Sequence, residues 1–193
     1  MSRYFTAKGD DGTTGMLGEG RVSKADLRME VLGVLDEVSA ALGLARAACK
    51  SDQVDKTIRQ IQRDLYGMMA EIAATPENVE RFRSIDGTKV AWLEEQTEKY
   101  GSNVTMPSDF ILPGDSLGEA ALALARTIIR RAERRAVDLF SQYGIENIDI
   151  LRYLNRASSL LFVLEIFELN RHQRQRITLA KQEKEEGDGR DFA

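Results

Sequence analysis

Ten consecutive residues, RTIIRRAERR at positions 126–135, carry five arginines against a single acid, Glu133. The local charge is +4 in a chain whose formal net charge is −4. At 100° per residue Arg126, Arg130 and Arg134 fall on one stripe of a helix. Like charges four positions apart cost such a helix ~0.2–0.5 kcal/mol per pair, a repulsion that calls for a compensating charge. Two readings stay open. The cluster is a solvated face neutralised by acids from elsewhere in the chain, or it grips a polyphosphate, whose oxygens planar guanidinium forks hold in pairs.

A second segment bears on that choice. TAKGDDGTTG, residues 6–15, sets Gly9, Gly12 and Gly15 among Thr6, Thr13, Thr14 and Lys8. Glycines let successive backbone N–H groups converge on an anion, and hydroxyls add donors. Read alone, the Asp-Gly step marks a turn first. The Walker A spacing is absent and no apolar strand precedes the segment. Lys24 lies close enough in sequence to serve the same anion. Asp36 lies away from an apolar stripe centred near Val31, as a solvated carboxylate or as the partner of an arginine on another helix or another subunit.

What is scarce narrows the chemistry. One histidine, His172, and one cysteine, Cys49, leave no internal disulfide, zinc cluster or histidine-based triad. No metal site built from protein side chains is expected, so reactivity must rest on Arg, Lys, Asp, hydroxyls and backbone. The negative net charge argues against nucleic acid and anionic membrane as partners. MSRYFTAKGDDG lacks an apolar signal core, and the longest apolar run, 160–164, cannot cross a bilayer. A cytoplasmic protein is expected. His172 reads as a cation near a helix C-terminus, Cys49 as a small apolar filler, and Met68 and Met69 as core.

The elements that must position these residues are helices. In 193 residues there are three prolines and 7% aromatics, a composition that favours helix. Ser23 with Asp26 resembles a capping box, opening a helix with the stripe Leu27, Val31, Val34, Leu35, Val38, Leu42 and Ala45. A second helix carries Val54, Ile58, Ile61, Leu65, Met68 and Ile72 and stops before Pro76. Residues 75–86 form a polar connector, and 88–100 a third helix closed by Gly101. Ser116 and Glu119 open a fourth, running to about Gln142 and ending at Gly144; its apolar side is Leu117, Ala121, Leu124, Ile128, Ala132 and Leu139. The fifth spans about 147–172, with LLFVLEIF apolar almost all round. The expectation is an all-α, five-helix up-and-down bundle in one domain, residues 1–175, followed by a charged, disordered tail, 176–193.

Taken together, the segments resemble the PduO-type ATP:cob(I)alamin adenosyltransferases. The family's T-[RK]-T-G-D-x-G-x-T is echoed by TAKGDDGTT, and its following lysine by Lys24. G-T-x-D-E-L is similar to GVLDEV around Asp36 and Glu37, and F-x-L-P-G-G to FILPGD. R-T-x-x-R-R-A-E-R matches 126–134 in full, and Y-L-N-R-L-S-D is close to YLNRASS. The likeness runs in order from about Phe5 to Asn170.

The resemblance implies a homotrimer with active sites between subunits, transferring the 5′-deoxyadenosyl group of ATP to the cobalt of cob(I)alamin and releasing triphosphate. ATP, with Mg²⁺, would be held by Thr6, Gly9, Thr13, Thr14, Lys24, Arg130, Arg131, Arg134 and Asn155. Arg126 would pair with Asp36 across the interface, and Arg130, Arg126 and Asp36 would form the catalytic set. Phe110 would close the lower face of the corrin, although by its neighbours Ile111 and Leu112 it reads as a plain loop anchor; Ser159 would sit on the corrinoid side. Cobalt(I) is a strong nucleophile and needs no general base, in keeping with a chain that has one histidine. Further partners implied are an electron donor for cob(II)alamin and an adenosylcobalamin-dependent enzyme. Four positions depart from the family pattern: Ala7, Lys8, Asp115 where glycine is usual, and Ser159 where aspartate is usual. Ser159 and Asp115 keep alive a non-catalytic ATP- or adenosylcobalamin-binding delivery or sensor protein of the same fold. A structural bundle stitched by its arginines is the third reading.

Overall fold

The computed structural model describes residues 4–144, 146–171 and 177–181. A two-stranded antiparallel sheet, β1 (Thr13–Gly15) and β2 (Arg21–Ser23), precedes α1 (Leu27–Ala48), α2 (Asp52–Ala73), a single turn α3 (Val79–Phe82), α4 (Gly87–Gly101), α5 (Leu117–Tyr143) and α6 (Asp149–Arg171). The five long helices are those expected. The hairpin and α3 are additions, in segments too short and polar to show a period. His172 and most of the expected tail, 182–193, lie outside the described residues.

Helix starts follow local chemistry. Asp26, not Ser23, caps α1: its Oδ1 accepts the Arg28 N–H at 2.8 Å. Ser23 is taken by the ladder, opposite Thr13. Ser116 caps α5 as expected, accepting the Glu119 N–H at 3.2 Å, but the Glu119 carboxylate turns to the Gly114 N–H at 2.9 Å and leaves the box half formed. Gly144 ends α5 at φ 62°, a left-handed value that glycine adopts without strain.

The long helices pack in the order α2–α1–α5–α6–α4. Val31, Leu35, Val38 and Leu42 of α1, Ile58, Ile61 and Leu65 of α2, Ile129 of α5 and Leu154, Leu160 and Leu161 of α6 fill the shared core. Buried acids bind the bundle across its seams. Asp64 on α2 accepts the Tyr153 hydroxyl at 3.0 Å and pairs with Lys89 of α4 at 2.9 Å. Glu71 accepts the Asn147 side-chain amide at 2.7 Å and the Ser84 N–H at 3.0 Å, which fixes the connector. Among the described residues no helix is long and apolar enough to cross a membrane.

Candidate functional site

Each arginine of α5 is set by where its 100° step leaves it. The buried arc is Ala121, Ala125, Ile129, Ala132, Ala136 and Leu139, and its four alanines let α5 approach α1 and α6 closely. Leu117 and Leu124, expected on that buried side, are instead 72% and 48% exposed. They fall outside the wedge between the two neighbours. Arg126 stands at the α6 edge of the exposed arc and Arg131 and Arg135 at the α1 edge. Arg130 and Arg134 stand between them, both exposed.

Partners follow the same geometry. Arg131 pairs with Glu37 and Arg135 with Glu30 at 3.5 Å, both acids on α1. Glu133 accepts the Asn155 side-chain amide at 3.0 Å, and Asn155 Oδ1 accepts from Arg156 at 2.8 Å. Arg134 donates to the Arg130 carbonyl at 3.1 Å. The Arg130 guanidinium has no acid partner among the described residues. The cluster therefore divides: acids of its own chain neutralise its edges and leave its centre open.

The amino-terminal segment forms a self-bonded cradle. Lys24 Nζ donates to the Gly9 carbonyl at 2.6 Å, and Arg21 donates to the Lys8 carbonyl at 2.6 Å and to Thr13 Oγ1 at 2.8 Å. Asp11 accepts the Thr13 N–H and hydroxyl at 2.9 and 2.8 Å, and those bonds hold its carboxyl below the usual range. Ala7 takes φ 56°, a left-handed conformation that turns the chain into the loop. Thr6 is exposed and its Oγ1 accepts the Lys8 N–H at 3.5 Å, while Thr14 pairs with Val22 in the ladder.

The hairpin loop is stitched to the end of α2. The Leu17 N–H donates to Ala73 at 2.8 Å and the Thr75 N–H to Leu17 at 3.2 Å. Gly18, at φ 147°, lies so close to Thr75 that a Cβ would meet Oγ1 at 2.2 Å. Tyr143 at the end of α5 donates to Asp26 Oδ2 at 2.8 Å, and Arg28 lies 5.3 Å from its ring centre. These contacts anchor the cradle near the last turns of α5. Within one chain Lys24, Thr13 and Gly9 make no contact with Arg130 or Arg134.

Arg126 has a partner that sequence reasoning missed. Its Nε donates to Glu165 Oε1 at 2.6 Å and its Nη2 to Oε2 at 3.3 Å, with the guanidinium 5.4 Å from the Phe162 ring centre. The Glu165 side chain is fully buried, and burial first of all pushes its carboxyl up to about 7 despite Arg126. The signal was one acid inside LLFVLEIF, a run apolar enough that its glutamate had to find a cation. Asp36 is exposed on α1 and has no partner among the described residues.

Phe110 projects from the loop before α5 and is 86% exposed, so it anchors nothing in its own chain. The described part of the expected tail, 177–181, lies against this loop. The Leu112 N–H donates to Thr178 at 2.8 Å and the Ala180 N–H to Phe110 at 2.7 Å. Asp115 accepts the Thr178 N–H and hydroxyl, each at 2.8 Å, and Lys181 pairs with Asp109 at 2.8 Å. Asp115, one of the departures from the family pattern, thus has a structural partner. Ser159 is exposed and returns its hydroxyl to the Asn155 carbonyl at 3.4 Å.

Two cavities lie away from the centre of the arginine face. One of about 580 Å³ opens between α2 and α4 beside Asp64, Lys89 and Trp92. Another of about 390 Å³ lies beside Arg28, Glu71 and Tyr143. Among the described residues no group of three or more His, Cys, Asp or Glu could hold a metal ion.

Fold and site define a mostly helical bundle with a small amino-terminal hairpin, which presents one cationic helix face and, apart from it within one chain, a glycine-threonine cradle. The chain belongs to the cobalamin adenosyltransferase family, whose model matches residues 4–168. It is 36% identical over 171 residues to the corrinoid adenosyltransferase of Mycobacterium leprae, covering 85% of this chain and 90% of that protein. It is 38% identical over 161 residues to the corrinoid adenosyltransferase PduO of Citrobacter freundii, covering 83% of this chain. The chain spans about half the length, 48%, of that PduO relative. Among solved structures it matches a phenylalanine-to-alanine variant of the PduO-type ATP:corrinoid adenosyltransferase of Lactobacillus reuteri complexed with cobalamin and ATP. That match has a TM-score of 0.84 and 31% identity, covering 93% of this chain and all of the other. An arginine-to-lysine variant of that enzyme, complexed with ATP, matches with a TM-score of 0.83 at 30% identity, over 92% and 99% of the two chains.

Proposed function

We propose that this chain transfers the 5′-deoxyadenosyl group of ATP to the cobalt of a reduced corrinoid, as a cytoplasmic homotrimer whose sites lie between subunits. The observation that carries the reading is the division of the arginine cluster. Its flanks are neutralised within the chain, while Arg130 has no acid partner among the described residues and Arg134 meets only a carbonyl. Such an open pair of forks suits the oxygens of a triphosphate. The cradle of Thr6, Gly9, Thr13, Thr14 and Lys24 supplies further donors from a neighbouring subunit, with Arg131 and Asn155 completing the set. Leu117 and Leu124 on the same exposed arc give α5 an apolar surface to bury against that neighbour. Residues 1–175 form the working domain, and residues 177–181 meet the corrin-side loop.

In the reaction cobalt(I) forms a bond to C5′ with its electron pair, and the C5′–O bond breaks with its electrons passing to triphosphate. Charge grows on the departing bridging oxygen, and fixed guanidinium groups aimed there stabilise the transition state more than the ground state. Mg²⁺ arrives with ATP. That ion would be held mainly through the phosphates, which asks for no carboxylate cage, and among the described residues there is none. The exposure of Phe110 supports a role for it in shielding the lower face of the corrin, and a separate electron donor supplies cobalt(I). Adenosylcobalamin then passes to an enzyme that uses it. The test is incubation of the protein with ATP and chemically reduced cobalamin. A light-sensitive adenosyl product with stoichiometric triphosphate is expected. Binding of both substrates without product would sink the catalytic reading in favour of a carrier.

A further inference from the structure

Glu165 reaches the α6 edge of the arginine face from a fully buried position. Arg126 gives it two hydrogen bonds, at 2.6 and 3.3 Å, and is flanked by the Phe162 ring. That guanidinium is committed within its own chain. Asp36, which the family resemblance implies as its partner across the subunit interface, is exposed and unpaired among the described residues. In a trimer assembled on that pairing, one cation would face two carboxylates, one fixed by packing and one offered by a neighbouring copy.

We propose that Glu165 is a positioning residue: it holds the Arg126 guanidinium on its own subunit in competition with Asp36 of a neighbouring copy, and so sets how strongly the two subunits are tied at the active site. This rests on the reading that Arg126 and Asp36 meet between subunits. The grip depends on the charge of Glu165. As a carboxylate it accepts two charge-assisted bonds; as a neutral acid it keeps one carbonyl acceptor and loses the attraction.

The groups that face Glu165 favour a change of charge near neutrality. From α5 come Arg126 and Glu119, the latter with a buried Oε1 that no group satisfies. Glu168 lies one turn further along α6, its Oε1 accepting the Lys50 N–H at 2.7 Å where α1 meets α2. Cys49 beside it has its thiol pushed up to about 12 by burial and by Glu168, and is neutral. Burial and the nearby Glu119 outweigh Arg126 and bring the Glu165 carboxyl to about 7. Below that pH the guanidinium is released to the neighbour; above it, it is retained.

The test compares the wild type with Asp36→Asn, Glu165→Gln and the double variant. The trimer dissociation constant from sedimentation equilibrium and the KM for ATP would be measured at pH 6 and 8.5. Asp36→Asn should weaken both about tenfold at pH 6 and less than about twofold at pH 8.5. In the Glu165→Gln background the Asp36 effect should be about tenfold at both pH values. An Asp36→Asn effect that is the same at both pH values in the wild-type background overturns the proposal, as does a wild type that is monomeric. Asp36 is exposed, so that comparison stands even if Glu165→Gln does not fold. Assembly is read without turnover. A pH-dependent Asp36 effect in a protein that makes no adenosylcobalamin would reject the proposed activity and leave this inference standing; product formation with a pH-independent effect would do the reverse.

Discussion

Five arginines of one helix have three different fates, and position on the helix decides each. Arg126 is tied to buried Glu165, Arg131 and Arg135 face acids on α1, and Arg130 and Arg134 face outward. Replacing Arg130 by Ala should lower kcat by about 10²–10³, the ~2.7–4 kcal/mol typical of losing one transition-state donor, with an unchanged circular dichroism spectrum. A loss below about fivefold would remove Arg130 from the catalytic set. Cys49 gives a second residue-scale expectation. Its thiol is driven up to about 12 by burial and by Glu168, so the nucleophilic thiolate is scarce at neutral pH. Mass spectrometry should find it unmodified by iodoacetamide in the native protein and fully modified in urea.

At the scale of elements, two junctions govern what the site can do. Asp26 both caps α1 and accepts the Tyr143 hydroxyl, so one carboxylate joins the start of α1 to the end of α5. Asp26→Ala should cost about 1 kcal/mol for the cap, a fall in Tm of roughly 2–4 °C for a chain of this size. An unchanged melting curve would show that the cap is idle. The loop bearing Phe110 is the second junction, closed by residues 177–181. Asp115→Gly removes both acceptors for Thr178, and hydrogen–deuterium exchange should then show faster exchange of the Leu112 and Thr178 amides. Of these elements the five helices were legible, because apolar residues recur at helical spacing over many turns. The hairpin was not: its three-residue strands, TTG and RVS, are held by Leu17 and Gly18 docking on residues 73–75, a contact no local pattern encodes.

Across the whole molecule, one buried carboxylate, Glu165, makes stability depend on pH. Glu165 has an ordinary value of 4.5 when exposed and about 7 in the fold. Between those values the folded chain binds more protons than the unfolded one. Its contribution is therefore fully present below about pH 4.5 and lost as pH rises through about 7. In urea unfolding the wild-type midpoint should fall relative to that of Glu165→Gln as pH is raised from 5 to 8; parallel curves would contradict a titrating Glu165. Asp64 acts at the same scale, joining α2 to α4 and α6 through Lys89 and Tyr153. Asp64→Ala should destabilise by about 1–3 kcal/mol, because it leaves the buried Tyr153 hydroxyl without its acceptor, measurable as a drop in the same midpoint.

The sequence alone determined the helical architecture, the family and the identity of the cationic cluster. Each is written in periodic spacing or in short contiguous motifs, which survive without knowledge of what lies opposite. Which arginine is free was settled only by the fold. Arg126 and Arg130 are both arginines of one motif, and the difference between them is that α6 brings Glu165, 39 positions later, against one, and no acid among the described residues meets the other. Leu117 and Leu124 tell the same story in reverse, reading as core by spacing and left exposed because α5 meets only two neighbours. A one-dimensional pattern states which side chains share a face; the arrangement of helices decides what that face meets.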